Sequence, residues 1–345
     1  MANGDNLRRI FRAWSQRDDV GFREAAEEII KEEHGKNHRL LAEDLQKLLF
    51  NGSASANELR RTINQEIPKD KEKGLPLLDI TSSSKTWENL ILSAKHQKVL
   101  KQITREHQKS DLLKTFGLLP KRRILFYGPP GCGKTLGAQV IAGELGYPLV
   151  TVRFDAVVSS YLGETAANLR RVFDFVQRGR WVVLFDDFDA IGKDRDNHFE
   201  HGELKRVVNT LLQLMDLFSG DSLLIAATNH ESLLDSAVWR RFEVISEFPL
   251  PLQQDRLLML KLFLKAFTVS SELFTSIARR TNGASGSDIE LIAIEAARQA
   301  SLENRREITK TDVEAAFELY DSRLKATQLT RNQKNVTKKR RASNK

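Results

Sequence analysis

With 345 residues, 41% of them hydrophobic and 29% charged, the chain has the make-up of an ordinary globular protein with room for two or three domains. No apolar run approaches the length of a membrane span, Met1 to Arg9 lacks the apolar core of a secretion signal, and the single cysteine excludes an internal disulfide, so the expectation is a cytoplasmic protein. The net charge of +8 belongs to one end: nine Lys and Arg and no acid follow Asp321, which leaves −1 on the first 321 residues.

Residues 1–66 read as a helical N-terminal domain. Leu7, Ile10, Phe11 and Trp14 repeat at helical spacing, as do Phe22, Ala26, Ile29 and Ile30, and then Leu41, Leu45, Leu48 and Leu49; a shorter helix follows around Asn57 to Gln65. These stripes form the core of a small bundle or, in part, a docking face. The polar stretch Pro68–Gly74 marks residues 67–78 as a linker. From 79 to 250 apolar runs alternate with helical segments. The strands are Ile124–Tyr127, Leu149–Arg153, Val182–Phe185, Leu223–Thr228 and Val244–Phe248, which predicts a parallel sheet between helices. Residues 251–320 are helical throughout, with capping boxes expected at Ser287–Glu290 and Thr311–Glu314. Residues 321–345 form a basic tail poor in apolar residues, expected to be disordered. That tail reads as a solubilising end or, less favoured, as a nucleic-acid contact.

Between the first strand and its helix the chain reads Gly128-Pro129-Pro130-Gly131-Cys132-Gly133-Lys134-Thr135, a phosphate loop in the strand–loop–helix setting that the motif needs. Its glycines let successive backbone N–H groups turn inward, and the helix beginning beside Leu136 adds its positive end. Lys134 is placed for the β- and γ-phosphates of ATP, and Thr135 for Mg²⁺ through its hydroxyl. About fifty residues on, the apolar strand Trp181–Phe185 ends in Asp186 and Asp187. Asp186 is positioned to hold Mg²⁺ through its water shell and Asp187 to orient the attacking water. The run Ala226-Ala-Thr-Asn229 ends a further strand on a polar tip, where Thr228 and Asn229 would meet the γ-phosphate. The adjacent Arg240 and Arg241 read, by themselves, as a surface charge pair, the usual fate of such residues, and a phosphate-binding role needs an argument from context.

Taken in order, Gly128–Thr135, Phe185–Ala190, Ala227–Asn229, Asp235–Phe242 and Gly283–Ile289 resemble the AAA branch of the AAA+ ATPases over residues 79–320. The resemblance implies an α/β module with a parallel five-stranded sheet in the order 5-1-4-3-2, a C-terminal helical lid, and a homohexamer whose ATP sites lie between neighbours. It makes Asn229 the polar sensor and Arg240 and Arg241 fingers to the next subunit's γ-phosphate. Ile91 and Ser285 would flank adenine and ribose. Asp187 departs from the family pattern, which has Glu there. The segment Ser159–Thr165 resembles an aromatic pore loop, with Tyr161 and Leu162 gripping an extended polypeptide substrate. Lys193–Glu203 resembles a second pore loop, its His198 and His201 facing solvent rather than a metal.

Cys132 reads as a spacer within the loop, with Lys134 and the helix end expected to lower its pKa. The N-terminal unit and the Ala-Val-Trp-Arg-Arg-Phe variant are similar to bacterial AAA ATPases encoded beside a subtilisin-like serine protease and associated with phage or plasmid defence. The chain itself carries no HExxH and no G-x-S-x-G. The leading expectation is therefore a hexameric, Mg-ATP-dependent remodeller of proteins. A nucleic-acid-handling ATPase using the basic tail, and a nucleotide-gated scaffold, stand as alternatives.

Overall fold

The computed structural model describes residues 8–10, 12–13, 18–35, 66–71, 74–158, 162–187, 200–229 and 236–325. The chain separates into two compact units, residues 1–66 and 67–345. In the first, helix α1 (Asp19–Gly35) buries Ala25, Ile29 and Ile30. Its stripe runs through Ala25 rather than Ala26, which is only partly buried. The proposed helices around Leu41–Leu49 and Asn57–Gln65 lie outside the described residues.

The second unit is built on a six-stranded sheet. Its strands are β1 (Leu78–Thr81), β2 (Arg123–Tyr127), β3 (Leu149–Val152), β4 (Val182–Phe185), β5 (Leu223–Thr228) and β6 (Val244–Glu247), in the order β1-β3-β4-β5-β2-β6. All neighbours are parallel except β1, which runs antiparallel to β3 with Leu78 opposite Val152. The expected five-strand order is present, numbered from β2, and is extended by β1 at one edge. That strand escaped the sequence reading because Leu-Asp-Ile-Thr is short and only half apolar, and a lone edge strand gives too little alternation to detect.

Alternation along the strands sorts side chains between two cores. Leu125, Val183, Phe185, Leu224 and Ala226 face one layer, made by helices α2 (Leu162–Val176) and α3 (Glu200–Leu217). Ile124, Phe126, Val182, Leu184 and Ile225 face the other, made by α4 (Ala94–Gln108) and α5 (Lys134–Leu145). The two central strands β4 and β5 are buried along their whole length, which is why they read as continuous apolar runs.

A lid of four helices follows: α6 (Gln253–Phe263), α7 (Ser271–Arg280), α8 (Gly286–Leu302) and α9 over 310–325. They close on their own core of Leu260, Ile289, Ile292, Ala296 and Phe317. The caps lie two residues before the expected boxes Ser287–Glu290 and Thr311–Glu314, at Ser285–Asp288 and Thr309–Asp312. Ser285 caps α8, accepting from the Asp288 N–H while the Asp288 carboxylate accepts from the Ser285 N–H. At the start of α9 the Asp312 carboxylate accepts from both the N–H and the hydroxyl of Thr309. Asp at the third helical position serves as Glu does, and here it wins because the aspartates start their helices.

Residues 67–78 are not an extended linker. The described residues on either side, 67–71 and 74–78, are bridged antiparallel at Lys69 and Pro76, with Leu77 fully buried and Asp70 only 4% exposed. Composition misled here because the charged run 69–73 reads as solvated, whereas one of its members, Asp70, faces inward with Leu77.

Candidate nucleotide-binding site

The parallel order sets the site. Strand β5 lies between β4 and β2, so the C-terminal ends of all three open on one edge of the sheet, the place where open α/β sheets bind ligands. The loop Gly128–Gly133 leaves β2, the pair Asp186–Asp187 leaves β4, and Asn229 leaves β5 between them. Gly128, Gly131 and Gly133 adopt positive φ of 138°, 75° and 92°, a conformation that turns the loop's N–H groups inward at little cost only for glycine.

Lys134 opens α5 and is 6% exposed, its Nζ donating to the Gly128 and Pro129 carbonyls at 2.8 and 2.9 Å. An ammonium gathered within its own loop sits where polyphosphate oxygens would replace those carbonyls. The next residue, Thr135, donates its hydroxyl to Asp186 Oδ2 at 2.7 Å. One hydroxyl and one carboxylate in contact are the hard oxygen donors that Mg²⁺ uses when phosphates and water complete its shell. The residues present therefore fit a Mg-nucleotide.

Asp187 has a φ of 49°, an uncommon value for a residue with a side chain, of the kind that accumulates at functional turns. Its carboxylate Oδ1 accepts from Asn229 Nδ2 at 2.9 Å, and its own N–H donates to Asp186 Oδ1 at 3.0 Å. The two carboxylates are thereby separated in role: one faces Thr135, the other is aimed by the amide on the next strand.

These groups line a cleft of about 780 Å³, with Ile91 and Leu136 on the α/β side and Met259, Phe263, Gly286 and Ile294 on the lid side. Lid and loop touch directly, since the Ser287 N–H donates to the Gly131 carbonyl at 3.0 Å. Ser285, expected beside the sugar, is spent on capping α8 and is not in the lining; its neighbours Gly286 and Ser287 take that place. The lid contributors Met259 and Phe263, with Lys85 from the segment before α4, were not found from sequence. They lie on ordinary amphipathic elements and carry no local signal. Burial pushes the Cys132 thiol up, and the opposing pull of Lys134 does not overcome it, so the expected activation of this cysteine is corrected.

Arg240 and Arg241 follow the short helix α10 (Ser236–Trp239) and do not line the cleft. Arg240 is exposed, whereas Arg241 donates through Nε to Asp216 Oδ2 at 2.7 Å. Leu162 begins α2; Tyr161, His198 and most of the second proposed pore loop lie outside the described residues.

Cationic and N–H groups on one wall, two differentiated carboxylates on the other and a helical lid across them make this a P-loop ATPase module. Residues 124–250 match the model of the ATPase family associated with various cellular activities (AAA), and residues 271–315 match the AAA+ lid domain. The chain belongs to the AAA family and hydrolyses ATP. It is similar along nearly its whole length to the AAA family ATPase y4kL of Sinorhizobium fredii, at 36% identity over 92% of this chain and 95% of that one. It is also related to proteasome-activating nucleotidases. Identity is 37% to that of Thermococcus onnurineus, over 60% of this chain and 54% of the relative, and 31% to that of Thermococcus kodakarensis, over 77% and 69%. The chain thus spans about half the length of the first of these nucleotidases. Among the described residues no helix is long and apolar enough to cross a membrane.

Proposed function

We propose that the protein is a Mg-ATP-driven remodeller of polypeptides that works as a homohexamer. The observation that carries this reading is the kinship with proteasome-activating nucleotidases across the ATPase unit and lid. Their name couples this module to a proteolytic machine, and a protease acts on polypeptide. Within the site, Thr135 and Asp186 would hold Mg²⁺, whose charge would stabilise the phosphates as they part. Lys134 and the loop N–H groups orient the triphosphate, Ile91 flanks the base, and Asp187, aimed by Asn229, takes a proton from the attacking water. Arg240 and Arg241 reach the neighbouring subunit's site. Tyr161 and Leu162 grip the substrate chain in the central channel, where an aromatic face is tolerant of sequence. For a partner we infer a separate subtilisin-like protease in a defence system, on the narrower resemblance of the N-terminal unit.

The test is Tyr161→Ala. It should lower unfolding of a fluorescent protein carrying an unstructured tail by more than about tenfold, the loss of roughly 1–3 kcal/mol per aromatic contact recurring in every subunit. ATP turnover without substrate should persist. Unfolding at the wild-type rate would overturn the threading reading.

A further inference from the structure

Away from the nucleotide, a fully buried amide in the interior is bonded at both ends of its side chain. Asn168 lies in the second turn of α2 and is fully buried. Its Nδ2 donates to Asp70 Oδ1 at 3.0 Å and to the Val157 carbonyl at 3.3 Å, and its Oδ1 accepts from Arg171 Nη1 at 2.8 Å. Asp70 sits at the head of the turn 67–78, which is closed by the Asp70 N–H on the Leu75 carbonyl and pinned to the sheet by the Arg153 N–H on the Leu77 carbonyl. Arg171 also reaches back to the Lys69 carbonyl at 3.3 Å.

Burying a carboxylate and an amide is costly unless both are hydrogen-bonded, and an apolar pair of the same size would hold the turn against the helix as firmly. What an apolar pair lacks is direction. The Val157 carbonyl ends the short helix Phe154–Val157, and α2 begins at Leu162. Asn168 therefore ties the outgoing end of one stem to the helix that forms the other, roughly 9 Å along the axis from its first residue. The chain between the two stems is residues 158–161.

We propose that Asn168 is a positioning residue for the 158–161 loop, held at its own correct orientation by Asp70. The inference rests on the reading of Tyr161 and Leu162 as the polypeptide grip. Its physical content is that the amide fixes the separation and twist of the two stems, so the grip enters the channel at one height in every subunit.

Exchanging the partners tests it. Asp70→Asn keeps an oxygen that accepts from Asn168 and should behave as wild type. Asn168→Asp sets two carboxylates against each other and leaves the Val157 carbonyl without its donor. The double variant Asp70→Asn/Asn168→Asp restores a hydrogen bond between turn and helix, with the donor reversed, but still offers nothing to Val157. In the full-length protein the double variant should recover thermal stability, assembly and substrate-free ATP turnover to within about twofold. Unfolding of the tailed fluorescent protein should stay at least tenfold down, and amide exchange over 158–165 should stay raised. Recovery of unfolding and of exchange protection together with stability would overturn the proposal, because the amide would then be only a clasp between turn and helix. Asn168→Ser, too short to reach both partners, replaces the aspartate variant if that fails to assemble, with the same expectation and the same refutation. Tyr161→Ala is measured in parallel. If it unfolds substrate normally, the threading reading fails, and the exchange result still decides the stem-fixing role of Asn168.

Discussion

Asp187 concentrates the chemistry of the site into one side chain. Its backbone is held at positive φ, its carboxylate is aimed by Asn229, and its neighbour Asp186 is engaged with Thr135. Glutamate is the family's residue here, so the shorter side chain sets the carboxylate about one methylene further back. Asp187→Asn should bind Mg-ATP with little change while turnover falls by roughly 10²–10⁴, the usual contribution of a positioned base. Asp187→Glu should match or exceed wild type. Steady-state phosphate release with a parallel nucleotide-binding titration checks both, and wild-type turnover in the Asn variant would remove Asp187 from its role. Asp186, Asp187 and Asn229 could be named as candidates from sequence, since the phosphate loop and the acidic strand end are local motifs, whereas the positive φ of Asp187 and its bond from Asn229 are tertiary features. The Cys132 thiol was misjudged for the converse reason: burial beneath the lid outweighs Lys134, and burial is a tertiary property.

Among elements, the lid decides how the cleft closes, and its contact with the phosphate loop is narrow. Gly131 has a φ of 75°, and a Cβ there would run into Ser287 Oγ and lie 2.7 Å from Ser285 Oγ. Gly131→Ala should therefore strain the loop and push α8 away. A cost of about 1–3 kcal/mol corresponds to a loss of roughly five- to 150-fold in ATP affinity, measurable by titration, while thermal stability changes little. The lid's own stability depends on Asp312, 4% exposed, which caps α9 through Thr309 and pairs with Arg305 at 2.8 and 3.0 Å. The Arg305 hydrogen bond holds its carboxyl down at about 2 against an ordinary 3.8. A depressed carboxylate stabilises the fold above its unfolded value and loses that stabilisation as the pH falls through the folded one. The Asp312 contribution should thus be complete above about pH 4 and vanish towards pH 2. Asp312→Asn should lower the melting temperature at pH 7 and flatten its acid dependence over that window, and an unchanged acid limb would contradict the assignment. At this scale the sequence was only partly readable. Strands β4 and β5 were found to the residue because both of their faces are buried, whereas β1 and the folded turn at 67–78 depend on partners distant in the chain. Both helix caps were displaced by two residues because Ser287-x-x-Glu290 and Ser285-x-x-Asp288 are equally good boxes until tertiary structure sets where the helix begins.

For the whole molecule, the cleft described in one chain is lined by the cations Lys85, Lys134 and Lys265, while Arg240 and Arg241 stand outside it. If each subunit of the proposed hexamer lends its arginines to the next, neither a finger-deficient nor a pocket-deficient protein should turn over alone. Lys134→Ala abolishes the pocket and Arg240→Ala the finger, yet a mixed ring places an intact pocket beside an intact finger wherever the two types meet in the right order. Random mixing in equal amounts makes roughly a quarter of the interfaces productive in a cyclic assembly, so ATPase should rise from background to about that fraction of wild type. The same mixture made with Arg241→Ala separates two roles. Arg241 is engaged by Asp216 of its own chain, which in turn meets Arg123 at 3.3 Å at the start of the strand leading into the phosphate loop. Rescue of Arg241→Ala by Lys134→Ala subunits places this arginine in the neighbour's site during hydrolysis, released from Asp216. Rescue of Arg240→Ala alone makes Arg240 the finger and leaves Arg241 as the cis anchor that orients it. Failure of both mixtures, in rings shown to contain both subunit types, would mean that hydrolysis is completed within a single chain and that arginine sharing has no part in it.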